Sequence, residues 1–300
     1  MWDARRLLFL LGPAALAGSA CIVSVDGLSG GAFPDTDASP VEGSSTADGS
    51  SRDADASDAA DAVVPKDGAV SSDAASMYRA IVVADAPLAY FRLDEASGTT
   101  AMDSSGFGNH SPYSAGFTFG AAGAIVHDPD TAVTLDGAGG CVAMNSNFGN
   151  FSGTNPFTLE VWAKPSMLDA IYRMAFSREA YVGTGHQAMF LFARGGDALG
   201  FQRIVDDTLV QILVSPPTLN VFSHIVATYD GAELALYVNG VEVGRTPDAR
   251  SMPPISAPLY VGCGGVNAHG FTGVLDEAAI YNKALPATVV GMHYQAGASP

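Results

Sequence analysis

Leu234-Ala-Leu-Tyr-Val-Asn-Gly-Val-Glu-Val-Gly-Arg245 is two alternating runs joined by Asn239-Gly240. An Asn-Gly pair accepts the two positive φ angles of a tight two-residue turn, so the stretch predicts a β-hairpin. The same period of two recurs on either side. Phe157-Thr-Leu-Glu-Val-Trp-Ala163 puts Phe157, Leu159 and Val161 on one face. Met189–Ala193 is apolar and β-rich, and Phe222–Tyr229, Ala257–Gly262 and Thr272–Tyr281 read as further strands. Helix is scarce. Ser76 is placed to cap a short helix to about Ala84, stopped by Pro87, and Pro286 opens a closing helix to Ala296. Short strands with Gly and Pro turns predict an all-β, two-sheet antiparallel sandwich over residues 76–300.

Upstream the composition changes. Residues 22–75 are mostly Ser, Ala, Gly, Asp and Pro. They hold too little apolar surface to offset the entropy of ordering, and are expected to form a disordered acidic linker. As a flexible chain it reaches roughly 40 Å. Two motifs inside it fail their structural tests. Gly27-Leu28-Ser29-Gly30-Gly31 has the G-x-S-x-G spacing but no strand before it or helix after it. Asp53-Ala54-Asp55-Ala56-Ser57-Asp58 lacks the Gly and Glu of a helical calcium loop and reads as charged spacer.

Residues 1–21 carry Arg5 and Arg6, then an uncharged apolar run from Leu7 to Ala20. This is a secretory signal pattern, and the run falls short of the roughly 20 residues a membrane span needs. Gly18-Ser19-Ala20-Cys21 resembles a lipobox, with Gly18 standing where that pattern usually has Leu. The resemblance implies acylation of Cys21 and a lipid-anchored protein at the outer membrane or cell surface of a bacterium. An ordinary cleaved signal with an incidental cysteine is the other reading. The net charge is −17, and no segment after Arg6 is basic. Phosphate binding needs Lys and Arg, so nucleic acid is excluded as a partner, as is charge-led docking on anionic lipid. The membrane partner is therefore reached through the anchor.

Within the predicted domain, Pro87-Leu-Ala-Tyr-Phe-Arg-Leu-Asp-Glu-Ala-Ser-Gly-Thr-Thr100 precedes Asp103-Ser-Ser-Gly-Phe-Gly-Asn-His110. Ala132–Gly137, Phe157–Trp162, Leu236–Gly240 and Phe271–Tyr281 follow in order. Together these motifs resemble LamG-like jelly-roll domains of the concanavalin A-like lectin/glucanase superfamily, over about residues 78–296. The resemblance implies a jelly-roll sandwich with variable loops around a concave face.

The superfamily's glucanases carry E-x-D-x-x-E on one strand, where even spacing puts carboxylates on one face around a sugar bond. No such run is found here. Glu160 is the lone acid of its strand, and the adjacent Asp276 and Glu277 are expected to point to opposite faces. A non-catalytic binding module for a glycan or a surface protein is expected, with a purely structural or adhesion protein and a divergent glycosidase as alternatives. The loop from Asp103 to Asn109 offers oxygen donors suited to calcium. The resemblance suggests that it meets the strand carrying Asp276, giving Asp103, Asn109 and Asp276 as candidate ligands of a structural calcium. Turn formation is the alternative role for these residues. Arg178, Tyr181 and His186 sit in a segment read as a loop between strands and are the candidate ligand-binding residues. Trp162 is expected to pack between a sheet and covering loops. Export would put Cys141 and Cys263 where a disulfide persists; whether their Cα atoms come within about 7 Å is left to the fold.

Overall fold

The structure, a computed structural model, describes residues 73–194, 198–265 and 269–299. The expected signal segment, Cys21 and the linker up to residue 72 lie outside the described residues. The chain enters through helix α1 (Asp73–Ala84), which begins ahead of Ser76. Short strands β1 (Ala89–Phe91), β2 (Thr100–Ala101), β3 (Ser111–Pro112), β4 (Phe117–Ala122), β5 (Thr131–Asp136) and β6 (Val142–Ala143) follow. The longer strands are β7 (Phe157–Pro165), β8 (Arg173–Val182), β9 (Gly185–Arg194), β10 (Ala198–Val205), β11 (Thr208–Val214), β12 (Ser223–Tyr229), β13 (Glu233–Val238) and β14 (Val241–Pro247). Then come β15 (Tyr260–Val261), β16 (Thr272–Tyr281) and helix α2 (Ala287–Ala298).

Two antiparallel sheets pack face to face, as the sequence predicts. The large sheet runs β14-β13-β12-β7-β16-β5-β4, with β1 also against β16; the small one runs β11-β10-β9-β8-β15-β6. Period-two alternation sends Phe157, Leu159 and Val161 of β7 inward, where they share one core with Phe176, Leu191 and Phe201 of the small sheet. Phe157 meets Phe201 edge-on across it, with ring centroids 6.2 Å apart. Asn239 and Gly240 take φ of 51° and 76°, the two positive angles that the predicted hairpin turn needs.

Four details depart from the sequence reading. First, residues 178–186 are the tip of the β8–β9 hairpin rather than a loop between strands. Polar side chains there mask the strand signal, because one end of this hairpin projects past the core. Second, Ala257–Gly262 pairs only at Tyr260 and Val261. Pro258 has no N–H to donate, so regular pairing starts after it. Third, the register of β16 slips between Asp276 and Ala279, and Glu277 adopts φ of 51°. This bulge interrupts the alternation. Asp276 and Glu277 consequently share one environment, both feeling the charges of Arg92 and Asp128. Fourth, helices rather than loops cover Trp162. Its Nε1 donates to Tyr78 Oη of α1 at 3.0 Å, and its ring stacks on Tyr294 of α2 at 5.9 Å.

Candidate ligand-binding site

Strand register lays out a row of side chains across the small sheet. Phe190 pairs with Ser177, Ser177 with Tyr260, and Tyr260 with Ala143. Directly paired residues share a face. Their neighbours along the strands, Phe176, Met189, Leu191, Val142 and Val261, belong to the central core. The row therefore lies on the face turned away from the large sheet. Tyr260 is half-buried and Ala143 ends the row at a cavity of about 320 Å³.

The cavity separates the loop Asp103–His110 from the segment Ala143–Phe148. Met144 and Phe148 make an apolar floor, and Asn109, His110, Ser111 and Asn145 supply polar groups. Next in sequence to Gly108 of the lining is Phe107, 64 % exposed. The loop is held by Asp103. Its carboxylate accepts from the N–H groups of Tyr90, Ser105 and Asn109 and from the Ser105 hydroxyl, at 2.8–2.9 Å. Burial opposes ionisation of Asp103, but these donors outweigh it and hold its pKa below the usual value. Gly106 and Gly108, on either side of Phe107, take φ of 94° and 72°, a region that glycine adopts without strain. An apolar floor, a few convergent polar groups and an exposed aromatic ring are what a small polar ligand with an apolar face requires.

The three residues assigned to ligand binding do not form one site. Tyr181 and His186 are direct cross-strand partners and stack at 4.8 Å, with His186 Nε2 3.2 Å from Glu179. Tyr181 is 72 % exposed. Arg178 is turned the other way and is 2 % exposed. Its guanidinium donates to the carbonyls of Phe148, Ser146 and Ile255 and lines a separate cavity of about 60 Å³. Burial alone lowers its pKa. Arg178 braces the loop behind the cavity floor.

The residues named for calcium are each engaged by protein partners. Asp103 is occupied by its own loop, and the Asn109 amide donates to Leu88 O at 2.7 Å, pinning the start of β1. Asp276 accepts from Ala124 N at 2.7 Å and shares no hydrogen-bonding partner with Asp103. Burial pushes its pKa up to about 7. Beside it Arg92 ion-pairs with Asp94, Asp128, Asp130 and Glu277, so a guanidinium sits among these carboxylates. Among the described residues no group of three or more His, Cys, Asp or Glu side chains is arranged to hold a metal ion.

Cys141 and Cys263 are joined in a disulfide with Cα atoms 5.4 Å apart. The bond flanks β6 and β15, strands of two residues each that carry Ala143 and Tyr260. Pairs that short hold little on their own, so the disulfide steadies the wall of the cavity.

Glu160 is far from alone. Wholly buried beneath the helices, it accepts from His224 Nε2 at 2.8 Å, His293 Nδ1 at 2.9 Å and Tyr281 Oη at 2.9 Å. Burial would raise its pKa, but His293 and the hydrogen bonds hold it well below the usual carboxylate range. His224, His293 and Tyr281 come from three elements distant in sequence, so no local pattern announced them. At the cavity, Phe107 carried one readable signal, an aromatic between two loop glycines. His110 and Asn145 carried none.

A family model described as the concanavalin A-like lectin/glucanases superfamily, Laminin_G_3, matches residues 136–291. No curated protein matches the chain. Among solved structures, the binding domain of Paraclostridial Mosquitocidal Protein 1 is similar at a TM-score of 0.55 and 18 % identity, over 71 % of this chain and 52 % of that one. Domain 4 of AbnA, a GH43 extracellular arabinanase from Geobacillus stearothermophilus solved with arabinotriose, is similar at 0.53 and 18 %, over 70 % and 98 %. The ligand-binding domain of botulinum neurotoxin serotype D, solved with N-acetylneuraminic acid, is similar at 0.52 and 13 %, over 73 % and 52 %. The chain spans about half the length of the first and third. At these identities the likeness is one of fold.

Proposed function

We propose, for a chain that belongs to the Laminin_G_3 family of the concanavalin A-like lectin/glucanases superfamily, that it is a non-catalytic module binding carbohydrate. One observation carries the reading: a cavity of about 320 Å³ with a mixed lining, at the end of the row that contains Tyr260 and beside the loop that exposes Phe107. Sugars present apolar ring faces and hydroxyl edges, and this lining matches both. The sugars bound to the arabinanase domain and to the neurotoxin domain support the same reading. Burial of Asp276 and Glu277, and of Glu160 under the helices, supports binding over hydrolysis, since a glycosidase must bring its acid pair to the substrate. Cys21 is proposed as the lipid anchor that displays the module at the cell envelope.

A glycan array probed with the full chain tests the module. Binding to a defined set of glycans, reduced in Phe107→Ala, is the expected result; capture of a protein partner with no glycan bound overturns it. Fractionation tests the anchor. Cys21→Ser is expected in the soluble fraction, and its retention on membranes rules out lipidation as the attachment.

A further inference from the structure

The lining of the cavity goes further than "carbohydrate" and selects among sugars by charge. We infer that the site takes a neutral sugar and rejects acidic ones; the inference rests on the carbohydrate-binding reading above. Among the described residues the polar side chains of the lining are two amides, a hydroxyl and an imidazole, with neither Lys nor Arg. His110 Nδ1 accepts from Asp103 N at 2.9 Å. A ring nitrogen that accepts carries no proton, so the network assigns a neutral imidazole with its proton on Nε2. His110 thus offers a donor without a charge. Arg178 reaches the same floor, but from behind, where its Nη1 and Nη2 donate to the backbone carbonyls of Phe148 and Ser146.

The surroundings are acidic. Asp103 lies directly behind the loop, and Glu95 accepts from Met102 N and Tyr113 Oη on the same side. A carboxylated sugar would enter this field with no cation to pair with, inside a molecule of net charge −17. A neutral pentose or hexose meets no such opposition. Its apolar ring face suits the floor of Met144 and Phe148, with the exposed Phe107 next in sequence to the lining, and its hydroxyls suit the amides of Asn109 and Asn145 and the imidazole of His110.

The test is calorimetric titration of the full chain with arabinobiose, lactose and maltose against 3′-sialyllactose and glucuronic acid. His110→Ala and Phe107→Ala alter exposed side chains, and unchanged melting temperatures confirm their folding. At least one neutral disaccharide should bind, about tenfold more weakly in either variant. Its affinity should vary less than about twofold between roughly 50 and 500 mM salt, because no charge pair is screened. Sialyllactose or glucuronate binding as tightly as the neutral sugars, with the same sensitivity to both variants, overturns the charge selection. Neutral-sugar binding untouched by both variants places the site elsewhere and sinks this inference while leaving a carbohydrate module. Absence of binding by every sugar on a broad neutral and acidic panel defeats the carbohydrate reading itself.

Discussion

His293 of the closing helix sets its Nδ1 2.9 Å from Oε1 of Glu160, a carboxylate buried in the middle of the large sheet. Its other nitrogen lies 3.1 Å from Asp85 Oδ2, at the end of α1. A ring facing a carboxylate from each nitrogen donates from both, and is therefore an imidazolium. Burial disfavours that charge, but Glu160 and Asp85 together raise the pKa above its ordinary value of 6.5. A raised folded-state pKa gives stability that is complete below the unfolded value and is lost as pH rises through the folded one. The parent protein should lose melting temperature as pH climbs above about 6.5. His293→Gln should be destabilised by about 3 kcal/mol at pH 6 and lack that loss. A constant gap between the two across this range would show that His293 does not titrate.

Asp276 contributes on the other side of neutrality. Burial raises its pKa to about 7, and the fold favours its protonated form. Stability from this group is complete below the unfolded value of 3.8 and declines as pH rises toward 7. Asp276→Asn keeps an oxygen for Ala124 N and removes the titration. Its denaturation midpoint should fall less between pH 4 and pH 7 than that of the parent; parallel curves would refute the assignment.

Gly297 reverses an ordinary rule. Glycine to alanine inside a helix usually stabilises. Here a Cβ would stand 2.6 Å from the Trp162 ring and 2.9 Å from Ile125. Gly297→Ala should cost about 1–3 kcal/mol in chemical denaturation. A gain in stability would mean that α2 docks more loosely than described.

The disulfide spans 122 residues of sequence, so it closes a long loop of the unfolded chain. Chain entropy predicts a loss of about 5 kcal/mol in the Cys141→Ser, Cys263→Ser variant. Because the bond holds the strands carrying Ala143 and Tyr260, sugar affinity should fall before the fold is lost. Reductant should reproduce both effects in the parent and change neither in the variant.

Asp103 carries four hydrogen bonds within its own loop and against β1. Melting curves in excess calcium and in chelator are therefore expected to coincide, while Asp103→Ala costs about 2 kcal/mol of unfolding free energy through orphaned N–H groups. A melting temperature that rises with calcium would restore a metal to this loop.

How much was legible in advance depended on range. Strand β16 was read from Thr272 to Tyr281, the bounds it has in the structure, because its apolar run is local and ends at a polar turn. The Asn239-Gly240 turn was equally local. The β8–β9 tip was not, because strand pairing beyond the core leaves no apolar alternation. Glu160 looked solitary because His224, His293 and Tyr281 reach it from far along the chain. Asp276 and Glu277 were assigned to opposite faces because periodicity carries no sign of a bulge.

The amino-acid sequence by itself determined the class of fold, through the period of two, the turn residues and a family's run of motifs. Tertiary structure decided which polar residues are structural and which face a ligand. Arg178 and Tyr181 are three positions apart in one strand, yet alternation at the sheet's end buries the first among carbonyls and exposes the second. Asp103 became a loop clamp, and His110, Met144, Asn145 and Phe148 became the cavity. Local backbone preference acts over a few residues and can be read along the chain. A binding site is made by side chains that only the packed sheets bring together.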